Sequence, residues 1–242
     1  MKTLFIIKLG TTFEGVKKSF GDFDQWTKTA LGSPDLDVGI VDAESGAALP
    51  QAQDCAGVVL TGSHSMVTDN LPWSIEVENW IPEILKARVP FLGICYGHQV
   101  LAKAAGGQVG FHPKGREIGT VKIYLLSAHT KDKLFGELPK QFAAHTVHSQ
   151  SVLRLPPEAI HLATSADELH HAFRIGDFAW GIQFHPEFTK EIMEAYIRTQ
   201  AKNLLAEGWD VEKLLLMIDE TPAVLKITRN FCRMVRDLKS RF

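Results

Sequence analysis

Cysteine is scarce in this 242-residue chain, with Cys55, Cys95 and Cys232 the only three. An odd and sparse set builds no disulfide framework, so the expected setting is a reducing cytoplasm. Charge of one sign is lacking too. Lys and Arg number 26 against 28 Asp and Glu, a formal net charge of −2, and no basic surface advertises nucleic acid or an anionic membrane. No apolar run approaches the ~20 residues that a membrane span requires. The opening MKTLFIIKLGTT has a short apolar run, Leu4–Ile7, which is too brief for a signal-peptide core and reads as a first strand. Internal repeats, low-complexity tracts and linkers are missing, and so is the G-x-x-x-x-G-K-[ST] pattern that cradles nucleotide phosphates. What is present is an ordinary globular composition, 45% hydrophobic and 22% charged. The length suits one large α/β domain, with or without a small extension.

Apolar strand-like runs alternate with segments of helical period. Leu4–Leu9, LDVGIVDA, CAGVVLTGS and PFLGI read as strands. CAGVVLTGS has no polar face, as expected where a sheet is covered on both sides. Between them, FEGVKKSFGDFDQWTKTALG reads as helix interrupted at Gly21 and closed by Gly32, and SIEVENWIPEILKARV as helix in which Pro82 makes a kink or lies near the start. Tyr96–Ala105 is a further helix, closed by Gly106-Gly107. This alternation predicts a mostly parallel open sheet with helices on both faces. From about Gln108 to Phe184 the pieces GTVKIYLL, SVLRLP, AIHLATS, HHAFRI and FAWGIQF predict a partly antiparallel extension. Helix is then expected from Lys190 to Gly208, from an Asp210 cap to Ile218, and after Thr221-Pro222 as N-cap and first helical residue. In that last helix Val224, Ile227, Phe231, Val235 and Leu238 recur at helical spacing, a stripe expected to pack on the domain.

The stretch FLGICYGHQVLAKAAGG holds the most telling chemistry. Cys95 follows a strand and precedes a helix, at the sheet end where parallel folds bind ligands. Gly93-x-Cys95-x-Gly97 is the thiol counterpart of the G-x-S-x-G nucleophile elbow, whose glycines remove side chains that would collide in so tight a turn. The helix start favours a thiolate, and the Tyr96 amide would face the same point as an oxyanion donor. A thiolate nucleophile needs a base, and the base an orienting group. Among ten histidines, His185 in GIQFHPEF stands out. An apolar strand delivers it, Pro186 ends that strand, and Glu187 lies within reach of the imidazole. His145, His148, His170 and His171 compete for the role, but none is followed by a carboxylate at a strand end, and His170-His171 follows a charged segment expected to be solvated. Cys95 and His98 are near in sequence with no matching second pair, so no metal site is expected. Cys55 and Cys232 read as small packing residues.

GICYGHQVLAKAAGG followed by FHPEF resembles the class I glutamine amidotransferase family, whose pattern is G-x-C-x-G-x-Q with a later H-P-E. The resemblance covers residues 1–202, with 203–242 as a C-terminal helical extension, and implies a flavodoxin-like fold. It also implies a Cys95, His185, Glu187 triad that hydrolyses a γ-glutamyl amide, with no cofactor. Carried over by position, Tyr96 and either Gly62 or Ser63 of VVLTGSHS form the oxyanion hole. Members often have Gly-Gly-Pro or Asn-Gly-Pro where this chain has Gly62-Ser63-His64. Gln99, with His148, Ser149 and Gln150 of HTVHSQSV, would contact substrate.

Family members usually feed ammonia to a synthetase. The about forty residues after the triad helix are too few for a synthetase domain with its own core. Three functions are therefore expected in turn. The first is a stand-alone enzyme acting on glutamine or a small γ-glutamyl compound. With the segment HPKGREIGTV and the C-terminal helices, the chain resembles a stand-alone branch that is similar both to γ-glutamyl peptidases acting on glutathione-type conjugates and to amidotransferases. The second is a glutaminase subunit serving a synthetase in trans, such as one making GMP or anthranilate. The third, a non-enzymatic regulatory protein, fits poorly with retention of all three triad residues.

Overall fold

The computed structural model describes residues 2–32 and 36–239. Five strands form the parallel half of a nine-stranded sheet: β1 (Thr3–Lys8), β2 (Val38–Asp42), β3 (Cys55–Leu60), β4 (Phe91–Ile94) and, from much later in the chain, β11 (Ala179–Ile182). β10 (Ala172–Ile175), β9 (Ala159–Thr164), β6 (Glu117–Leu125) and β7 (Gln141–His148) extend it antiparallel, giving the order β2-β1-β3-β4-β11-β10-β9-β6-β7. β5 (Gln108–Phe111) and β8 (Gln150–Arg154) pair separately. The sequence reading missed β5 and β7, because QVGF and QFAAHTVH lack a sustained apolar face.

Alternation along β1 assigns the two cores. Leu4 and Ile6 join the apolar cluster under helix α2 (Phe23–Leu31) and the C-terminal helix α8 (Leu225–Lys239). Ile7 and Leu9 join the opposite cluster, beneath α3 (Pro72–Lys86) and α4 (Tyr96–Ala104). Both faces are therefore covered, which is why β3 has no exposed residue. Most of the expected stripe is core: Val224, just before α8, and Ile227, Phe231 and Val235 on it are buried, whereas Leu238 is half-buried. Gly57 on β3 admits Val235, whose Cγ2 would lie 2.8 Å from an added Cβ.

Helix ends follow the local chemistry. Gly21, at φ +88°, separates α1 (Glu14–Phe20) from α2, and Asp22 then caps α2 in a capping box with Gln25. Thr189 caps α5 (Lys190–Thr199), and Asp210 caps α7 (Val211–Leu216). α3 holds Pro82 in its interior, not near its start. Three boundaries differ from expectation. The segment after Lys190 breaks at Gln200 into α5 and α6 (Ala201–Ala206). α7 stops at Leu216, before Ile218. Thr221-Pro222 opens a turn, its Thr221 carbonyl accepting from Val224 N, and α8 begins at Leu225. A proline at a helix start is compatible with such a preceding turn, so the local signal fixed the region and not the first residue.

Candidate active site

Cys95 and the His185 segment leave the sheet from adjacent parallel strands. Ile94 pairs with Ile182, and the Cys95 amide donates to the Ile182 carbonyl at 2.8 Å. Cys95 follows β4 immediately and N-caps α4 with φ +51°, ψ −99°, a sparsely populated conformation for a residue with a side chain. The glycine spacing has a measurable reason. A Cβ on Gly93 would collide with the Gly97 carbonyl, and one on Gly97 would lie 2.6 Å from Leu60 Cβ. The turn is thus wedged between its own helix and β3, and Gly97 N donates to the Thr61 carbonyl at 3.2 Å. That bond brings the Gly62-Ser63 segment against the elbow.

His185 is 1% exposed, and its Nδ1 lies 2.8 Å from Glu187 Oε1. Its backbone N–H donates to the His145 carbonyl at 2.8 Å, bridging it to β7. Burial alone would lower the imidazole pKa, but the Glu187 carboxylate and then the Cys95 sulfur outweigh it and raise it to about 10. Cys95 Sγ also lies 3.8 Å from the Val147 carbonyl of β7. Phe188 stacks on the His185 ring at 4.1 Å between centroids, and Gly62 packs on its edge, where an added Cβ would stand 3.2 Å from Cε1. These walls keep water from the imidazole and strengthen its interaction with Glu187.

Cys95, Tyr96 and His185 line a cleft of about 250 Å³ together with Ser63, Gln99 and the His148–Gln150 turn. The Tyr96 side chain points away: its hydroxyl is 2.8 Å from Ser74 Oγ. Its amide belongs to the first turn of α4, where N–H groups lack intrahelical acceptors. Ser63 Oγ accepts from Ser65 N at 3.1 Å. Gly62 stands behind, against His185 and Phe23.

The polar atoms of the other expected contacts are engaged with one another. Gln99 Nε2 donates to the Gln150 carbonyl at 2.8 Å and to Gln183 Oε1 at 3.0 Å. His148 Nδ1 donates to the same carbonyl at 2.9 Å, and its Nε2 lies 3.0 Å from Glu117 Oε2. Gln150 Nε2 donates to Thr68 Oγ1 at 2.6 Å. Ser149 lines the cleft, while its carbonyl accepts from His112 N. Residues 148–150 are the corner where the chain passes from β7 to β8. The charged segment expected to be solvated is so only in part: Glu168 is buried, and His171 after it is fully buried, with Nε2 3.1 Å from the Glu117 carboxylate that His148 shares.

Sequence reasoning missed several cleft residues. Tyr196, from α5, has its hydroxyl 2.6 Å from Thr12 Oγ1 and 3.2 Å from His64 Nε2. Burial pushes that phenol pKa up. Phe13 and Phe188 complete the aromatic wall. Arg116 is the only Lys or Arg among the described residues lining the cleft, and no Asp or Glu lines it. Its one sequence signal was its place in GREIGTV just before a strand. The packing cysteines are as expected: Cys55 and Cys232 are 2% and 5% exposed, and burial, then Asp54, pushes the Cys55 thiol up to about 11. Among the described residues no helix is long and apolar enough to cross a membrane, and no group of three or more His, Cys, Asp or Glu is arranged to hold a metal ion.

Comparison with known proteins gives this geometry a family. Residues 18–203 match the family model described as glutamine amidotransferase class-I. Gamma-glutamyl peptidase 5 of Arabidopsis thaliana is 30% identical over 199 residues, covering 78% of this chain and 76% of that protein. Gamma-glutamyl peptidase 3 of the same plant is 33% identical over 57% of this chain, and the match spans only 56% of its own length. A glutamine-hydrolysing GMP synthase of Aeropyrum pernix is 34% identical over 63% of this chain and 28% of its own. The crystal structure of a glutamine amidotransferase from Thermotoga maritima superposes with a TM-score of 0.75 at 25% identity, covering 97% of this chain and 99% of that one. With its elbow cysteine and strand-end histidine in that order on that sheet, the chain belongs to the class I glutamine amidotransferase family.

Proposed function

We propose that this protein hydrolyses the amide of glutamine or of a small γ-glutamyl compound through a thioester on Cys95, without a cofactor. The observation that carries the reading is the Cys95–His185–Glu187 arrangement: a cysteine at a strained elbow, beside a buried imidazole that a carboxylate holds at 2.8 Å. In this mechanism the Cys95 sulfur attacks the γ-carbonyl carbon. The Tyr96 amide and that of Gly62 or Ser63 receive the oxyanion. Imidazolium His185 gives its proton to the departing nitrogen, and ammonia or an amine leaves as the C–N bond breaks. Water then attacks the thioester, His185 takes its proton, and glutamate is released with the sulfur restored. Glu187 fixes the ring through Nδ1, so that Nε2 serves both steps. Gln99, His148 and Gln150 act in this scheme by shaping the corner against which the substrate lies, and Ser149 by direct contact.

We place the catalytic unit at residues 1–202, with 203–242 as a helical extension, and the protein in the cytoplasm. Activity by the chain alone is favoured by the γ-glutamyl peptidase matched over most of both chains. Service as a glutaminase subunit to a synthetase in trans is the second reading, supported by the GMP synthase matched over about a quarter of its length.

Glutamate release by the purified chain from glutamine and from γ-glutamyl peptides tests both. Release from either by the chain alone supports the first reading. Silence relieved by a second protein supports the subunit. Full activity in Cys95→Ser overturns the mechanism.

A further inference from the structure

A second groove, of about 530 Å³, adjoins the cleft and shares Arg116 with it. Its walls are Arg116 and the first half of β6, from Glu117 to Val121, with His112, Lys114 and Asp167 beside them and the Gly208–Met217 segment of the C-terminal helices opposite. We infer that this groove receives the leaving group of the substrate, an amino-acid residue with an apolar side chain and a free carboxylate, and that Arg116 is the carboxylate's partner. The inference rests on the γ-glutamyl chemistry proposed above and names the part of the substrate that chemistry leaves open.

Position comes first. Ile118 pairs with Val147, whose carbonyl touches Cys95, and Glu117 pairs with His148. Arg116 therefore stands two strand positions from the sulfur's contact, roughly 7 Å along β6. An extended chain advances about 3.3–3.6 Å per residue, so this backbone interval is about two residues, which the leaving residue and the Arg116 side chain would bridge between them.

Charge comes second. The guanidinium donates to Gln200 Oε1 at 3.0 Å and pairs with Glu207 at 3.2 Å, which orients it and, among the described residues, engages two of its five donors. Its side chain is 19% exposed and that of Glu207 40%, so the pairing carboxylate sits on the wetter side and Arg116 keeps a face toward the cleft. A planar guanidinium held in this way suits a second carboxylate. Beyond it, Trp209, Leu214 and Met217 offer an apolar wall. Volume agrees as well. The cleft by itself is smaller than the about 300–1,000 Å³ of most ligand sites, whereas cleft and groove joined fall within that range. Glutamine, whose leaving group is ammonia, would leave the groove empty.

The test compares γ-glutamyl-phenylalanine with its C-terminal amide, which lacks the carboxylate but keeps the scissile bond. The native chain is expected to prefer the acid by about 10-fold or more in kcat/KM, carried mainly by KM, as a site built for one polar group rejects an analogue without it. In Arg116→Gln that preference falls to about 1, and Arg116→Lys restores part of it. Leu214→Arg, which fills the groove, lowers both peptides relative to glutamine. Equal use of acid and amide by the native chain overturns the inference, as does an unchanged preference in Arg116→Gln. Binding to Cys95→Ala, measured by calorimetry, separates this from the catalytic reading. If no γ-glutamyl compound is cleaved, the proposed reaction fails, and a Cys95→Ala chain that binds acid and amide equally overturns the role of Arg116 as well.

Discussion

Gly97 lies so close to Leu60 that a single added carbon would stand 2.6 Å from Leu60 Cβ and 2.8 Å from its carbonyl oxygen. The elbow is built by this contact between β3 and the first turn of α4. Gly97→Ala is expected to lower stability by about 1–3 kcal/mol through overpacking and to displace the Cys95 sulfur, abolishing turnover. Gly15→Ala, on α1 with nothing within 4 Å of its added carbon, is expected to be neutral or to stabilise by about 0.5–1 kcal/mol. Thermal unfolding of both variants checks the contrast, and equal midpoints would sink the elbow argument.

The three cysteines should differ in reactivity. Cys95 lines the cleft beside an imidazole raised to about 10 by Glu187 and the sulfur against the opposing effect of burial, whereas the Cys55 thiol is pushed up to about 11 by burial and by Asp54. Alkylation by iodoacetamide near neutral pH, read by peptide mass mapping, should reach Cys95 far ahead of Cys55 and Cys232. His185→Asn should remove most of that advantage. Uniform rates in the native chain would argue against an activated sulfur.

Gln99 joins two buried acceptors, the Gln150 carbonyl and Gln183 Oε1. Gln99→Leu leaves Gln183 Oε1 without its donor and takes from the Gln150 carbonyl one of its two, His148 Nδ1 remaining, and should destabilise by about 1–3 kcal/mol, with loss of activity following from a loosened corner. Urea denaturation measures the first effect. Lost activity with unchanged stability would assign Gln99 to direct substrate contact instead.

Stability should fall toward both ends of the pH scale, for opposite reasons. His145 is fully buried, and burial, then the charge on His185, lowers its imidazole to about 4. A depressed folded value means that its contribution is complete above the unfolded pKa of about 6.5 and is lost as pH falls toward 4, on the order of 3 kcal/mol. Glu117 adds to the same side: burial opposes its ionisation, but His148 and His171 outweigh burial and hold its carboxyl well below the usual range. His185 has a raised value, so its contribution is complete below about 6.5 and is lost as pH rises through about 10. Urea midpoints across this range should trace a dome, and His145→Asn should flatten its acid side. An acid limb unchanged in that variant would rule His145 out as its source.

Local sequence was enough for a good part of this molecule. Gly93, Cys95 and Gly97 announce a turn that only glycines permit, because their spacing reflects contacts within one turn and with the next strand. Pro186 ends the apolar run that delivers His185, and Glu187 is near it by simple adjacency. The β and α alternation follows from burial on both faces of the sheet, and the stripe of α8 from helical period. Tertiary structure alone decided which strands are neighbours. β4 and β11 are far apart in the chain, and only their parallel pairing at Ile94 and Ile182 brings sulfur and imidazole to one sheet end. It also decided that Gln99, His148 and Gln150 engage one another, that His171 is buried on Glu117, and that Arg116 stands between a cleft and a groove. Those relations depend on crossings between β6, β7, β8 and the C-terminal helices. A hydrophobic pattern reports which face of a segment is buried, and carries no record of which partner buries it.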